Sequence, residues 1–146
     1  MAGPYKFSPS AGSKLAIQIN SNYVVIAGCE GIPEFGAEKG TYEVTAINDV
    51  AKSFGDDLPD YGELSLTGSA DTTDPGQAHL IASSSSAGVV DLFQATFAKP
   101  ASGTSGAVGL FSGLVLSYKL SAAKGKAQTF TSKVKLTGAV NWTPAV

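Results

Sequence analysis

Apolar and polar positions alternate along most of this chain, and the alternating runs predict strands. KLAIQI (Lys14–Ile19) places Leu15, Ile17 and Ile19 on one face, and YVVIAG (Tyr23–Gly28) follows a short Asn/Ser turn, so the two read as a hairpin. ELSLTGS (Glu63–Ser69) resumes the pattern, and VVDLFQATFA (Val89–Ala98) is a mixed run. AVGLFSGLVLSYKLSA (Ala107–Ala122) sets Leu110, Leu114, Leu116, Tyr118 and Leu120 on one face. AQTFTSKVKLTGAVNW (Ala127–Trp142) sets Phe130, Val134, Leu136, Val140 and Trp142 on one face. Its other face, Thr129, Thr131, Lys133, Lys135 and Thr137, is wet or meets a polar partner. The segments Lys99–Gly106 and Ala123–Lys126 suit hairpin connections.

One stretch reads as a helix. In DTTDPGQAHLIASSSSAG, Asp74 is placed to cap the free N–H groups, Pro75 sits at the first helical position, and Gln77 completes a capping box. Ala78, Leu80, Ile81 and Ala82 form a short apolar stripe, Gly88 is a natural stop, and the serine run limits the helix to about three turns. Two stretches resist the pattern. Residues 1–13 are rich in Gly, Pro and Ser and read as an arm, with Tyr5 and Phe7 as anchors for a neighbour. From Gly31 to Gly62 there is little that a core would want. TYEVTAI (Thr41–Ile47) has strand character, but Asn48–Tyr61 is broken by Gly55 and Pro59. Loops of that length are uncommon and tend to be functional.

Composition narrows the classes. The 146 residues read as one domain, with 43% hydrophobic residues and a mean hydropathy of +0.11. All ten basic residues are lysine, and the net charge is −2. Without arginine the chain is a poor reader of DNA sequence and a poor phosphate clamp, though it could line a passage through which DNA slides. Cys29 stands alone, so no internal disulfide forms, and its place at the end of an apolar run reads as a small buried hydrophobe. No secretory signal and no membrane span are expected.

Catalytic constellations are scarce. His79 is the only histidine and falls in the helix, where packing is its expected role. One His and one Cys leave no ordinary zinc site. Asp56, Asp57, Asp60 and Glu63 lack calcium-loop spacing and read as a solvated loop, or one that meets a partner's lysines. The glycine-rich Gly103–Gly109 lacks the Lys-Ser/Thr and following helix of a phosphate loop. The chain is expected to be no enzyme and to carry no metal or cofactor.

The order of elements carries a further reading: an alternating hairpin, an acidic loop, D-x-x-D-x-G-Q-x-x-L (Asp71, Asp74, Gly76, Gln77, Leu80), F-x-G-x-V (Phe111, Gly113, Val115), then KVKLTG (Lys133–Gly138). From about Gly12 to Pro144 this resembles the major tail tube proteins of long, non-contractile-tailed bacteriophages. The resemblance implies a mainly β fold, a β-sandwich with one short flanking helix. It implies hexameric rings stacked into a tube that holds a tape measure protein and later passes double-stranded DNA, between tail terminator and tail tip proteins, in a virion assembled in the host cytoplasm. Residues 31–62 would be the arm between subunits and rings, with Glu34, Phe35, Tyr42, Phe54, Asp56, Asp57, Asp60 and Tyr61 as its contacts. The family's lumen is commonly acidic, which makes the strand-borne Glu43, Glu63 and Asp91 candidates to line it. Lys133 and Lys135 depart from that expectation: they pair with a neighbour's acids or face outward.

Two alternatives stand beside it. One is an Hcp-like tube of a contractile or secretion system, disfavoured by the long early loop. The other is a small binding β-sandwich, which would need an aromatic platform built from Tyr42, Phe54, Tyr61 and Trp142, although Trp142 is expected in the core and the others as loop anchors.

Overall fold

The computed structural model describes residues 11–46, 50–101 and 103–146. The fold is mainly β with one short helix, as expected. The strands are β1 (Lys14–Ile19), β2 (Asn22–Val25), β3 (Glu38–Glu43), β4 (Phe54–Asp60), β5 (Glu63–Ser69), β6 (Asp91–Thr96), β7 (Val108–Ser121) and β8 (Thr129–Thr143). The helix, α1, spans Pro75–Ser84. Six strands form one antiparallel sheet in the order β2-β1-β6-β7-β8-β5, and β3 and β4 pair only with each other. Tyr5 and Phe7 lie outside the described residues.

The β1–β2 turn shows how local chemistry builds the sheet. Ile19 pairs with Asn22, leaving a two-residue loop in which Asn20 and Ser21 both have positive φ, 49° and 69°. That is the turn whose twist matches a hairpin, and Asn tolerates it best after glycine. The sheet then curls until its two ends meet. Just past β2, Cys29 bridges Gly68 of β5; Ser69 N donates to Gly28 O (2.9 Å) and Glu30 N to Thr67 O (3.0 Å). A Cβ on Gly68 would collide with the Gly28 carbonyl, so glycine is what lets the ends close. The layers of the expected sandwich are therefore parts of one curled sheet.

The core lies inside that curl. Leu15, Ile17, Leu64, Leu66, Phe93, Phe130 and Val134 are buried there, with Leu80 of the helix. Phe93 stacks on Phe111 (centroids 5.2 Å) and Phe130 on Tyr118 (5.4 Å). In β7 the inward face differs from expectation. It is Gly109, Phe111, Gly113 and Val115; Leu110 and Leu114 turn outward, and Leu116 is 52% exposed. The strand is apolar on both faces, so alternation could not choose between them. The two inward glycines leave room for others, with Val134 filling the space at Gly113 and the rings of Trp142 and Phe35 that at Gly109. A register shift between Val115 and Ser117 then flips the phase. Tyr118 and Leu120 follow the inward phase, as expected, but Leu120 lies past the core's edge at 54% exposure. Trp142 is not a core residue: it sits at the rim, 47% exposed, stacked on Phe35 at 5.1 Å.

Helix α1 begins as predicted. Asp74 is the N-cap, its carboxylate accepting from Gln77 N (3.1 Å), with Pro75 next. Asp71 sets the approach by accepting from Thr73 N and Oγ1, and the hydroxyl bond holds its carboxyl below the usual range. The capping box is only half formed, because the Gln77 side chain goes elsewhere. It is fully buried, donating to Ala27 O (2.7 Å) and Ser69 O (3.1 Å) and accepting from Asp71 N (2.9 Å) and Tyr118 Oη (2.8 Å). Asp74 also accepts from Ala27 N (3.2 Å). The buried face is Gly76, Gln77, Leu80 and Ser83, while Ala78 and Ala82 of the expected stripe are exposed. The helix ends at Ser84 with Ser85 as its C-cap, ahead of Gly88.

Candidate assembly interface

The segment read as a broken loop is a two-stranded ribbon. β3 pairs with β4 from Glu38↔Asp60 to Glu43↔Phe54, four residues short of the predicted strand end at Ile47, which lies outside the described residues. β4 continues through Gly55 and Pro59, both expected to break it. In a lone ribbon the outer edge of β4 has no ladder to feed, so the N–H that proline lacks is not missed. Every residue of β3 is exposed, and so is all of β4 except Gly55. An isolated ribbon of this kind is marginal in water, and exposed strand edges invite pairing with another chain. Tyr42 (54% exposed), Phe54 (60%) and Leu58 (86%) show apolar surface with nothing of their own chain to cover it.

The predicted contact residues divide into two groups. Tyr42, Phe54, Asp56 and Asp57 lie on the exposed ribbon, with Glu34 exposed ahead of it. Lys39 Nζ meets Asp56 Oδ2 at 3.1 Å, and Asp57 accepts from Leu58 N. Phe35 and Tyr61 are half-buried and tie the ribbon's base to the core. Phe35 packs at 5.0 Å from Phe111 as well as on Trp142. Asp60 is fixed at the same base, accepting from Gly62 N (2.9 Å) and lying 3.8 Å from Lys135 Nζ. Lys135 thus has a partner in its own chain, while Lys133 is exposed on the same face of β8. The base is thus tied to the core and the ribbon beyond it is bare.

Of the lumen candidates, Glu43 and Glu63 are exposed and Asp91 is not. Asp91 is 6% exposed on the inward face of β6, with Oδ1 2.8 Å from His79 Nε2, so it cannot line a channel in this fold. That contact also gives His79 a helix-to-sheet packing role. The aromatic platform of the binding-module alternative does not form either. Register places Tyr42 and Phe54 on opposite faces of the ribbon, Tyr61 packs on the core, and Trp142 stacks on Phe35. Among the described residues no three His, Cys, Asp or Glu are grouped to hold a metal ion, and no helix is long and apolar enough to cross a membrane.

Surface features missed in the sequence are apolar. Tyr23, Val25, Leu92 and Leu116 are exposed on the sheet, and a groove of about 260 Å³ runs between Tyr23, Leu92, Leu110 and Asn141. The available signal was the two-faced apolar character of β7, which in a sheet means cover on both sides.

Cys29 is partly buried where the sheet closes, and burial, then the Asp74 carboxylate, push its thiol from 9.0 up to about 11. Tyr118 is raised as well, by burial first and then by Asp71, Asp74 and Cys29. Both groups stay neutral in the fold after their unfolded counterparts have ionised. Their contribution is complete below the unfolded values and is lost as pH rises through the folded ones. Thermal unfolding midpoints are expected to fall from pH 9 towards 11, less steeply in Cys29→Ala. Equal slopes for the two proteins would show that the thiol does not couple to folding.

The sequence matches no family model and none of the curated proteins. The fold does match solved structures. A chain in the six-fold symmetrised baseplate of the anti-feeding prophage superposes with a TM-score of 0.74 at 9% identity, covering 99% of this chain and 98% of that one. A chain in the sheath/tube terminator of PVC, an extracellular contractile injection system, gives 0.73 at 10%, covering 97% and 99%. A chain in the six-fold tail of a gene transfer agent (GTA) particle gives 0.65 at 14%, covering 89% and 94%. This protein therefore shares a fold with chains of phage-like tails and injection systems.

Proposed function

We propose that this protein is a structural, non-catalytic subunit that self-assembles into six-fold rings, stacked as the tube of a phage-like tail. The observation that carries this reading is the β3–β4 ribbon, an unpaired and partly apolar arm standing off a body whose fold recurs in six-fold assemblies. One heterologous contact that closes makes a ring, and a second that does not close makes a tube. The long early segment does not favour a non-contractile tail, because a chain of an extracellular contractile injection system covers 97% of this one. A tube of a contractile system fits at least as well. On the phage reading the channel holds a tape measure protein and then double-stranded DNA. Terminator and tip proteins close its ends, and Glu43 and Glu63 are the remaining acidic candidates for its wall. A chain without arginine would hold passing phosphates weakly.

Negative-stain electron microscopy of the purified protein across a concentration series tests the assembly. Hollow rings or tubes are the expected result. Monomers at every concentration, also after addition of preformed tail-tip complexes, would rule the reading out.

A further inference from the structure

Charge is divided along this chain. All twelve carboxylate residues lie at or before Asp91, whereas six of the ten lysines lie after it with no acid among them. The division coincides with two hairpins. The ribbon exposes Glu38, Glu43 and Asp57 beside Tyr42, Phe54 and Leu58. The other is the distal half of the β7–β8 hairpin. β6 pairs with β7 only as far as Gly113, so β7 runs on past that neighbour, while β8 stays paired with β5 as far as Thr129. There Lys119, Lys124, Lys126 and Lys133 are exposed beside Leu116 and Leu120. Among the described residues none of these four lysines has an ion-pair partner, and neither do Glu38, Glu43 and Asp57.

We propose that the basic distal β7–β8 hairpin of one copy docks on the acidic β3–β4 ribbon of a second copy. The pairing rests on the self-assembly reading above and names the surfaces that would meet. Both surfaces mix apolar side chains with charge, and the charges left unpaired are opposite: acidic on the ribbon, where Lys39 already meets Asp56, and basic on the hairpin. Apolar contact would supply binding, while charge would set register and discourage ribbon-on-ribbon or hairpin-on-hairpin pairing. Since each copy carries one of each, the contact is heterologous and repeats from copy to copy.

The test uses the full chain and three variants: Lys124→Glu/Lys126→Glu, Glu38→Lys/Asp57→Lys, and all four changes together. These positions are exposed, so thermal unfolding should match the wild type and certify the fold. Sedimentation and microscopy then give the concentration at which particles form. Each double variant should raise it about tenfold or more, corresponding to ~1.4 kcal/mol lost per contact. The quadruple variant, or an equal mixture of the two doubles, should restore it. Wild-type assembly should weaken from 0.1 to 1 M salt, as the Debye length falls from about 10 to 3 Å. Unchanged assembly in every variant would overturn this pairing and leave self-assembly standing. Wild-type protein that assembles at no salt concentration, also after addition of preformed tail-tip complexes, would overturn both.

Discussion

Replacing Gln77 with methionine is expected to destabilise the protein by about 3–4 kcal/mol, although it changes the side-chain volume little. Four groups depend on this amide: Ala27 O, Ser69 O, Asp71 N and Tyr118 Oη. They belong to the exit of β2, the exit of β5, the helix approach and β7. One fully buried side chain thus joins the helix to both ends of the curled sheet. Each buried polar group that loses its partner costs roughly 1–3 kcal/mol, and a total below the sum allows for groups that recover water. Gln77→Ala should lose a similar amount plus a cavity term. In Gln77→Glu the carboxylate would face the Ala27 and Ser69 carbonyls without a proton to donate, so it should be no milder at neutral pH. Urea unfolding with an unchanged slope is the measurement. A loss under about 1 kcal/mol in Gln77→Met would mean that the site serves packing and not hydrogen bonding. Against a total of about 5–15 kcal/mol for a typical domain, the expected loss is a large share.

Removing the ribbon should do the reverse, leaving the fold intact and abolishing assembly. Glu38 and Asp60 are cross-strand partners, so their Cα atoms lie within about 5.5 Å and a two-residue Asn-Gly turn can replace what lies between them. Phe35 and Tyr61, which hold the base, remain. The ribbon contributes nothing to the described core, so unfolding free energy should change by less than about 1 kcal/mol, the scale of shortening a loop. Particle formation should disappear at every concentration at which the full chain assembles. If the shortened protein still forms rings and tubes, the ribbon is not the assembly arm, and the exposed apolar face of β6 and β7 becomes the place to look.

The corrections share a cause. In β7 the pattern misled because both faces are apolar and because the inward positions 109 and 113 are glycines, whose space is filled by Val134, Trp142 and Phe35. In α1 the apolar stripe misled because a polar residue, Gln77, is as fully buried as Leu80 once four hydrogen bonds satisfy it. Asp91 was placed on a channel wall by its strand, but a strand has two faces and its own is the inward one, against His79.

From sequence alone the mainly β class, the single helix with its Asp74 cap and Pro75, the β1–β2 turn and the anomaly of residues 31–62 were all readable. These are local matters: periodicity, capping chemistry and turn preference act between residues a few positions apart. The curl of the sheet onto Gly28 and Gly68, the Gln77 hub, the depth of Phe35 and Trp142, and the ribbon's isolation were decided only in three dimensions. Each depends on which distant segment arrives opposite a residue, and a one-residue bulge is enough to exchange the faces of a strand.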